Sequence, residues 1–315
     1  MVGGEFMKKV VSTLGLTKEE WLKFRKQGIG GSDAGAICGL NPYSSPVSVY
    51  LDKTSEEISE YDNEAMRQGR DLEEYVASRF CEETGKKVRR RNAIFSNEKY
   101  TFMYANIDRY VVGEEAGLEC KTASAYSADK WKNGEVPMHY QIQCLHYMAV
   151  TGAKAWYLAV VILGREFKYV RIDRDEEMIQ YLITIEANFW NNHVIKQVMP
   201  EPDGSDAADR MIANLYNRAK EKQQILLNGY DEKIKRRFEL DQLIDKLEVE
   251  KKQIEQEIKL AMADAEEAIC EEFYITWKNM STRRIDATRL QTECPEVYQR
   301  YLKESNSRRF TIKAA

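Results

Sequence analysis

The longest apolar run in the chain, Ala155 to Leu163, spans nine residues. A membrane helix needs roughly 18 or more, so the run predicts a buried strand and excludes a span. A helical pattern precedes it, opened by Pro137 and stopped at Gly152, and a second strand over 166–172 follows. Upstream, Phe102 to Val112 alternates like a strand, turns at 113–117 and resumes as Leu118-Glu119-Cys120-Lys121. That pattern predicts a hairpin. The order β-β-α-β-β, flanked by helices, places the chain in the α/β (α+β) class with a mixed central sheet.

Around this centre, Lys18 to Lys26 reads as a short helix that enters a glycine-rich turn at Gly28–Gly31. Ser32-Asp33 caps a small-residue helix through Cys38, which stops at Gly39-Leu40-Asn41-Pro42. Residues 64–83 read as a helix with Met66, Leu72, Tyr75, Val76 and Phe80 near one face, and an amphipathic helix runs from Glu176 to Val194. The first residues lack periodicity. Their Gly-Gly-Glu-Phe reads as an appended remnant, with Met7 as the natural start.

Pro200 to Ser205 marks a boundary between an N-terminal segment (1–16) plus main domain (17–200) and a C-terminal region (201–315). The latter predicts two charged helices, 206–223 and 231–266, broken at Asn228-Gly229. The second carries Leu240, Leu243, Leu247, Ile254, Ile258 and Ala261 as a narrow seam. A tail with strands at 273–277 and 309–313 closes the chain.

Composition narrows the function classes. Six cysteines without a CxxC pair, and three histidines without HExxH, indicate neither a disulfide framework, a zinc knuckle nor a zincin. A reduced, cytoplasmic protein is expected. Net charge is −4, yet residues 86–91 hold five basic side chains, and from Phe273 onward nine basic residues face four acidic ones. Charge partitioned in this way keeps nucleic acid open as a partner. No GxxxxGK[ST] sequence is present, which argues against a motor.

The chemistry concentrates on the hairpin. Glu119 and Lys121, two apart on a strand, share a face, and an antiparallel neighbour can set Asp108 beside them. Two adjacent carboxylates repel, and a hard divalent cation relieves the repulsion. Mg²⁺ there would polarise a phosphodiester and acidify a water, with the Lys121 ammonium offsetting developing charge. The Glu-x-Lys pattern occurs four times, but only Glu119/Lys121 has an aspartate eleven residues upstream across a turn. A half-exposed hairpin with outward charges is the bland alternative. Arg25 and Ser32, within FRKQGIGGSDAGAICG, offer a guanidinium, a hydroxyl and a helix start suited to an anion; a plain capped turn is the alternative. Glu73 is a further candidate carboxylate. Tyr140, Gln143 and Tyr147 form a helical stripe of the kind that usually packs a core.

GIGGSDAGAICGLNPYSSP, GRDLEE, ANIDRY…GLECK and VPMHYQIQCLHYMAVTG occur in the order found in YqaJ-type viral recombinases. These are phage nucleases related to lambda exonuclease, in the PD-(D/E)xK superfamily, and the resemblance covers about residues 17–200. The tail MADAEEA…ITWKN…SRRFTIK also resembles Gram-positive prophage members. The resemblance implies a restriction-endonuclease-like core with a C-terminal helical extension and a small strand-bearing tail. It implies Asp108, Glu119, Glu73 and the Cys120 backbone carbonyl as metal ligands, Lys121 as catalytic lysine and Gln143 as the family's glutamine. Arg25, Ser32 and Gly31, with Gln143, would hold the 5′-phosphate. Ala105-Asn106-Ile107-Asp108 departs from the family's usual S-x-D run.

The expected function is therefore a Mg²⁺-dependent (Mn²⁺ as substitute), ATP-independent 5′→3′ exonuclease on linear double-stranded DNA. It would leave 3′ single strands for homologous recombination. A single-strand annealing protein of the RecT/Beta type and a trimeric ring are the partners the resemblance implies. A structure-specific or restriction-like endonuclease is the first alternative, and a non-catalytic DNA-binding scaffold the second.

Overall fold

The computed structural model describes residues 7–56, 63–219, 223–304 and 308–313. The Gly-Gly-Glu-Phe stretch, and part of the helix expected over 206–223, lie outside them. The chain divides into two compact units, Met1–Tyr216 and Asn217–Ala315.

The first unit is built on a five-stranded mixed sheet in the order β2-β5-β6-β7-β8. These strands are β2 (Val88–Arg89), β5 (Arg109–Val111), β6 (Ala116–Ala123), β7 (Ala155–Ile162) and β8 (Glu166–Asp173). β6 and β7 run parallel and the remaining pairs antiparallel. A parallel pair needs a crossover, and α5 (Met138–Thr151) supplies it, with Pro137 at its start and Gly152 in the left-handed region at its end. β7 is covered on both faces, which is why it reads as an unbroken apolar run. Tyr157 and Ala159 pack with Val76, Ala77 and Phe80 of α4 (Glu64–Thr84). Trp156, Leu158 and Val160 alternate to the other face and pack with Leu145 and Met148 of α5.

A second sheet, β1-β3-β4, joins β1 (Met7–Ser12), β3 (Ala93–Asn97) and β4 (Tyr104–Asn106). Helices α1 (Lys18–Lys26), α2 (Gly31–Ile37) and α3 (Pro46–Thr54) precede α4, and α6 (Glu176–Phe189) follows β8. Then α7 (Asp206–Leu215) buries Ala207 and Ala208, and its Arg210 reaches the Pro42 carbonyl. The expected boundary at 200–205 lies one helix before the division between the units.

The second unit holds α8 (Asp231–Met262), a hairpin of β9 (Glu267–Ile269) with β10 (Tyr274–Thr276), and helices α9 (Ala287–Glu293) and α10 (Pro295–Tyr301). Leu240, Leu243, Leu247 and Ile254 of the α8 seam are exposed. Among the described residues no helix is long and apolar enough to cross a membrane.

Several expectations change. The strand read over 102–112 is two strands, because the chain leaves the β3 pairing after Asn106 and joins the larger sheet at Arg109. Asp108 sits in that break rather than on a strand. Gly30, not Ser32-Asp33, caps α2; Asp33 lies at its third position and accepts from the Gly30 amide. Residues 125–134, between β6 and α5, form 3-10 turns kinked at Lys132–Asn133. Met66 and Tyr75 are exposed, so the buried stripe of α4 is narrower than read. The helix expected over 206–223 ends at Leu215, and the one over 231–266 at Met262. β10 pairs with β9, and 309–313 forms no strand. β1 and α3 were not read from the sequence.

Candidate active site

β6 lies third of five strands, so the side chains on its α5 face are enclosed. Gly117, Glu119 and Lys121 occupy that face. A Cβ on Gly117 would fall 2.2 Å from the Trp156 ring, so only glycine admits the indole beneath the site. The ladder ends with Arg109 opposite Leu118, and Asp108 lies just beyond that end, in the break between β4 and β5. Asp108 Oδ2 accepts from the Cys120 amide at 3.0 Å.

Glu119 is 4% exposed. Its Oε1 accepts from Lys121 Nζ at 2.6 Å and from Gln143 Nε2 at 2.7 Å. Lys121 Nζ also donates to Gln143 Oε1 at 3.0 Å and stands 4.7 Å above the Tyr140 ring. Gln143 Nε2 is shared with Tyr147 Oη at 3.0 Å. The Tyr140, Gln143, Tyr147 stripe is thus part of this cluster. Its helical spacing resembles ordinary core packing, and only the strand partners reveal the difference.

Charge is unbalanced here. Burial pushes the Asp108 carboxyl well above its usual range, and the nearby Glu119 and Glu73 carboxylates push it further. Burial likewise raises the Cys120 and Cys144 thiols, with Asp108 and Glu119 adding to it. Lys121 is buried, which works against its charge, yet Glu119, Tyr140 and Asp108 outweigh that and hold its pKa above the ordinary lysine value. Glu119 Oε2 is buried without a hydrogen-bond partner. A buried acceptor left alone costs about 1–3 kcal/mol. An orphaned carboxylate oxygen, beside a second carboxylate whose ionisation is suppressed, fits a hard divalent cation held through oxygen. Asp108 and Glu119 are the side chains that would hold it.

Glu73 is placed differently. Its Oε1 accepts from Arg109 Nη1 at 2.5 Å, while Arg109 also donates to the Asp108 carbonyl at 2.7 Å and to Glu74 at 2.9 Å. Among the described residues no three His, Cys, Asp or Glu side chains are gathered as a metal site; Glu73 is engaged by Arg109 and adds negative charge near Asp108. Arg109 follows Asp108 directly in ANIDRY, yet nothing in its spacing signals this role.

Arg25, Ser32 and Gly31 form the neighbouring cluster. Arg25 Nη2 donates to Ser32 Oγ at 3.0 Å, and its guanidinium lies 4.9 Å from the Trp21 ring centre. Gly31 is buried against α5; a Cβ there would come within 2.7 Å of the Tyr147 ring and 3.0 Å of Gln143 Cγ. Gln143 and Tyr147 therefore join the Arg25–Ser32 cluster to the Glu119–Lys121 cluster. Helix α2 has only seven residues, so the guanidinium and hydroxyl, not a long helix dipole, characterise the place.

The chain is 39% identical over 302 residues to the Bacillus subtilis (strain 168) protein YqaJ, covering 95% of each. It belongs to the YqaJ family. The family model described as the YqaJ-like viral recombinase domain matches residues 20–154, a span that includes Arg25, Ser32, Glu73, Asp108, Glu119, Lys121 and Gln143. Among solved structures, this YqaJ-family chain is similar to the alkaline exonuclease of Laribacter hongkongensis, with TM-score 0.50 and 19% identity. The same enzyme in complex with dAMP gives 0.51 and 20%. Both alignments cover 63% of this chain and 100% of the other. At that identity the likeness establishes the shared restriction-endonuclease-like fold.

Proposed function

We propose that this YqaJ-family chain is a Mg²⁺-dependent, ATP-independent 5′→3′ exonuclease on linear double-stranded DNA. The observation that carries this reading is Glu119. One oxygen is saturated by Lys121 and Gln143, and the other is buried, unpartnered and next to Asp108.

A divalent cation bound there would polarise the scissile phosphate and lower the pKa of an attacking water. Asp108 and Glu119 supply the negative charge that holds it. Lys121 keeps its proton, so it serves as a fixed cation that orients the water and offsets charge on the phosphoryl oxygens, not as a base. Gln143 fixes both partners, binding Glu119 through Nε2 and Lys121 through Oε1. Arg25 and Ser32 receive the 5′-phosphate, which sets how far the strand enters. In this reading the 3′ strand passes to an annealing protein of the RecT/Beta type, and the chain works as a trimeric ring; the family resemblance alone supports those two features.

The test is digestion of linear 5′-phosphorylated, linear 5′-hydroxyl and closed circular duplexes with Mg²⁺. Loss of the linear forms with the circle intact is expected. Loss of the circle would instead support an endonuclease, and no digestion of any form a scaffold.

A further inference from the structure

Asp33 follows Ser32 directly and creates a difficulty for an anion site. Its side chain is largely buried, its Oδ2 accepts from the Gly30 amide at 2.9 Å, and its Oδ1 lies 3.9 Å from Arg25 Nη2. A carboxylate there repels a phosphate and competes for the same guanidinium. Lys53, twenty residues along on α3, answers it. The Lys53 side chain is 1% exposed, with Nζ 2.7 Å from Asp33 Oδ2 and 3.2 Å from Asp52 Oδ2. The same ammonium donates to the Arg25 carbonyl at 3.1 Å.

We propose that Lys53 is a positioning residue for 5′-phosphate selection: it neutralises Asp33 and fixes the Arg25 backbone, so that Arg25 stays on Ser32 and open to a phosphate. This rests on the reading of Arg25 and Ser32 as the phosphate site. Burying an ammonium is costly unless partners match it, and here Asp33, Asp52 and the Arg25 carbonyl surround the one ammonium. Burial pushes the Asp33 carboxyl up, but Lys53 and then Arg25 outweigh it and hold the group below its ordinary value. Asp33 is thus a standing negative charge. Without Lys53, Arg25 has only the 3.9 Å gap to close before it is lost to Asp33. Pre-organising a charged donor in this way improves recognition by lowering the cost of ordering it.

The experiment measures kcat and KM of the full chain on 5′-phosphorylated and 5′-hydroxyl linear duplexes, with a thermal melt for each variant. Lys53→Met should lower the preference for 5′-phosphate at least tenfold, chiefly through KM. Adding Asp33→Asn to it should restore most of that preference, because the stray charge is gone while the asparagine still accepts from Gly30. A purely structural pair would show no such rescue. Retention of the wild-type preference in Lys53→Met, or a double variant no better than the single, overturns the proposal. Should Lys53→Met fail to fold, Asp33→Asn alone decides: it should keep the preference, and losing it overturns the proposal. A wild-type ratio near one, by contrast, overturns the phosphate site itself and Lys53's role with it.

Discussion

Gln143 Nε2 lies 2.7 Å from Glu119 Oε1, so an amide on α5 determines which oxygen of the β6 carboxylate remains available. Gln143 also accepts from Lys121, so the amide locks a carboxylate and an ammonium in one arrangement. Gln143→Ala should lower kcat about 10–100-fold, the usual cost of losing a partner that orients a ligand. Activity followed against Mg²⁺ concentration should show a higher half-saturating level. An unchanged Mg²⁺ curve would remove Gln143 from this role.

Asp108→Asn should abolish cleavage and stabilise the fold in chelator. The folded-state pKa of Asp108 is raised by burial and by Glu119 and Glu73, so ionising it works against folding. The sign follows from linkage: the favourable contribution is complete below the unfolded pKa of about 3.9 and is lost as pH rises through the folded value. Melting temperatures in EDTA should therefore separate, with Asp108→Asn above wild type by a margin that grows from pH 4 upward. A margin that shrinks with rising pH would contradict the electrostatics.

His139 moves the opposite way. Burial, and then Lys121 and Lys130, lower its pKa to about 4, and its Nε2 is buried without a partner. A histidine lowered in this way stabilises the fold above its unfolded pKa of about 6.5, and the contribution is lost as pH falls toward 4. His139→Asn should flatten the loss of thermal stability between those limits. Equal slopes for the two proteins would show that His139 is not the group responsible.

Arg109 is 3% exposed and bonds Glu73, Glu74 and the Asp108 carbonyl. Arg109→Met should cost about 1.5–3 kcal/mol, the range for hydrogen bonds to charged groups, because Glu73 and Glu74 are partly exposed and can take up water. Urea unfolding without metal measures it. A loss under 1 kcal/mol would mean the carboxylates re-solvate freely.

How much of this was legible beforehand depends on distance along the chain. Glu119 and Lys121 were readable because strand periodicity puts residues two apart on one face. The crossover helix was readable because Pro137 and Gly152 punctuate it. The break at Asp108 was hidden, since alternation runs on through Phe102–Val112 although the chain changes sheets at 107–108. Lys53 and Arg109 were silent for a related reason: Asp33 and Glu73, the partners that matter, sit on other elements, and no local period reports them. The strand expected over 309–313 rested on alternation alone, and alternation does not name a partner strand.

Asp108, Glu119 and Lys121 are proposed here as a metal-dependent phosphodiesterase centre. The most direct measurement is release of acid-soluble nucleotide from linear 5′-phosphorylated duplex by wild type and Glu119→Gln, each with Mg²⁺ and with EDTA, alongside Mn²⁺ affinity by electron paramagnetic resonance. Release is expected only by wild type with Mg²⁺, and Mn²⁺ binding should be weakened at least tenfold by the substitution. Release by Glu119→Gln at the wild-type rate, or wild-type release undiminished in EDTA, would contradict the proposal.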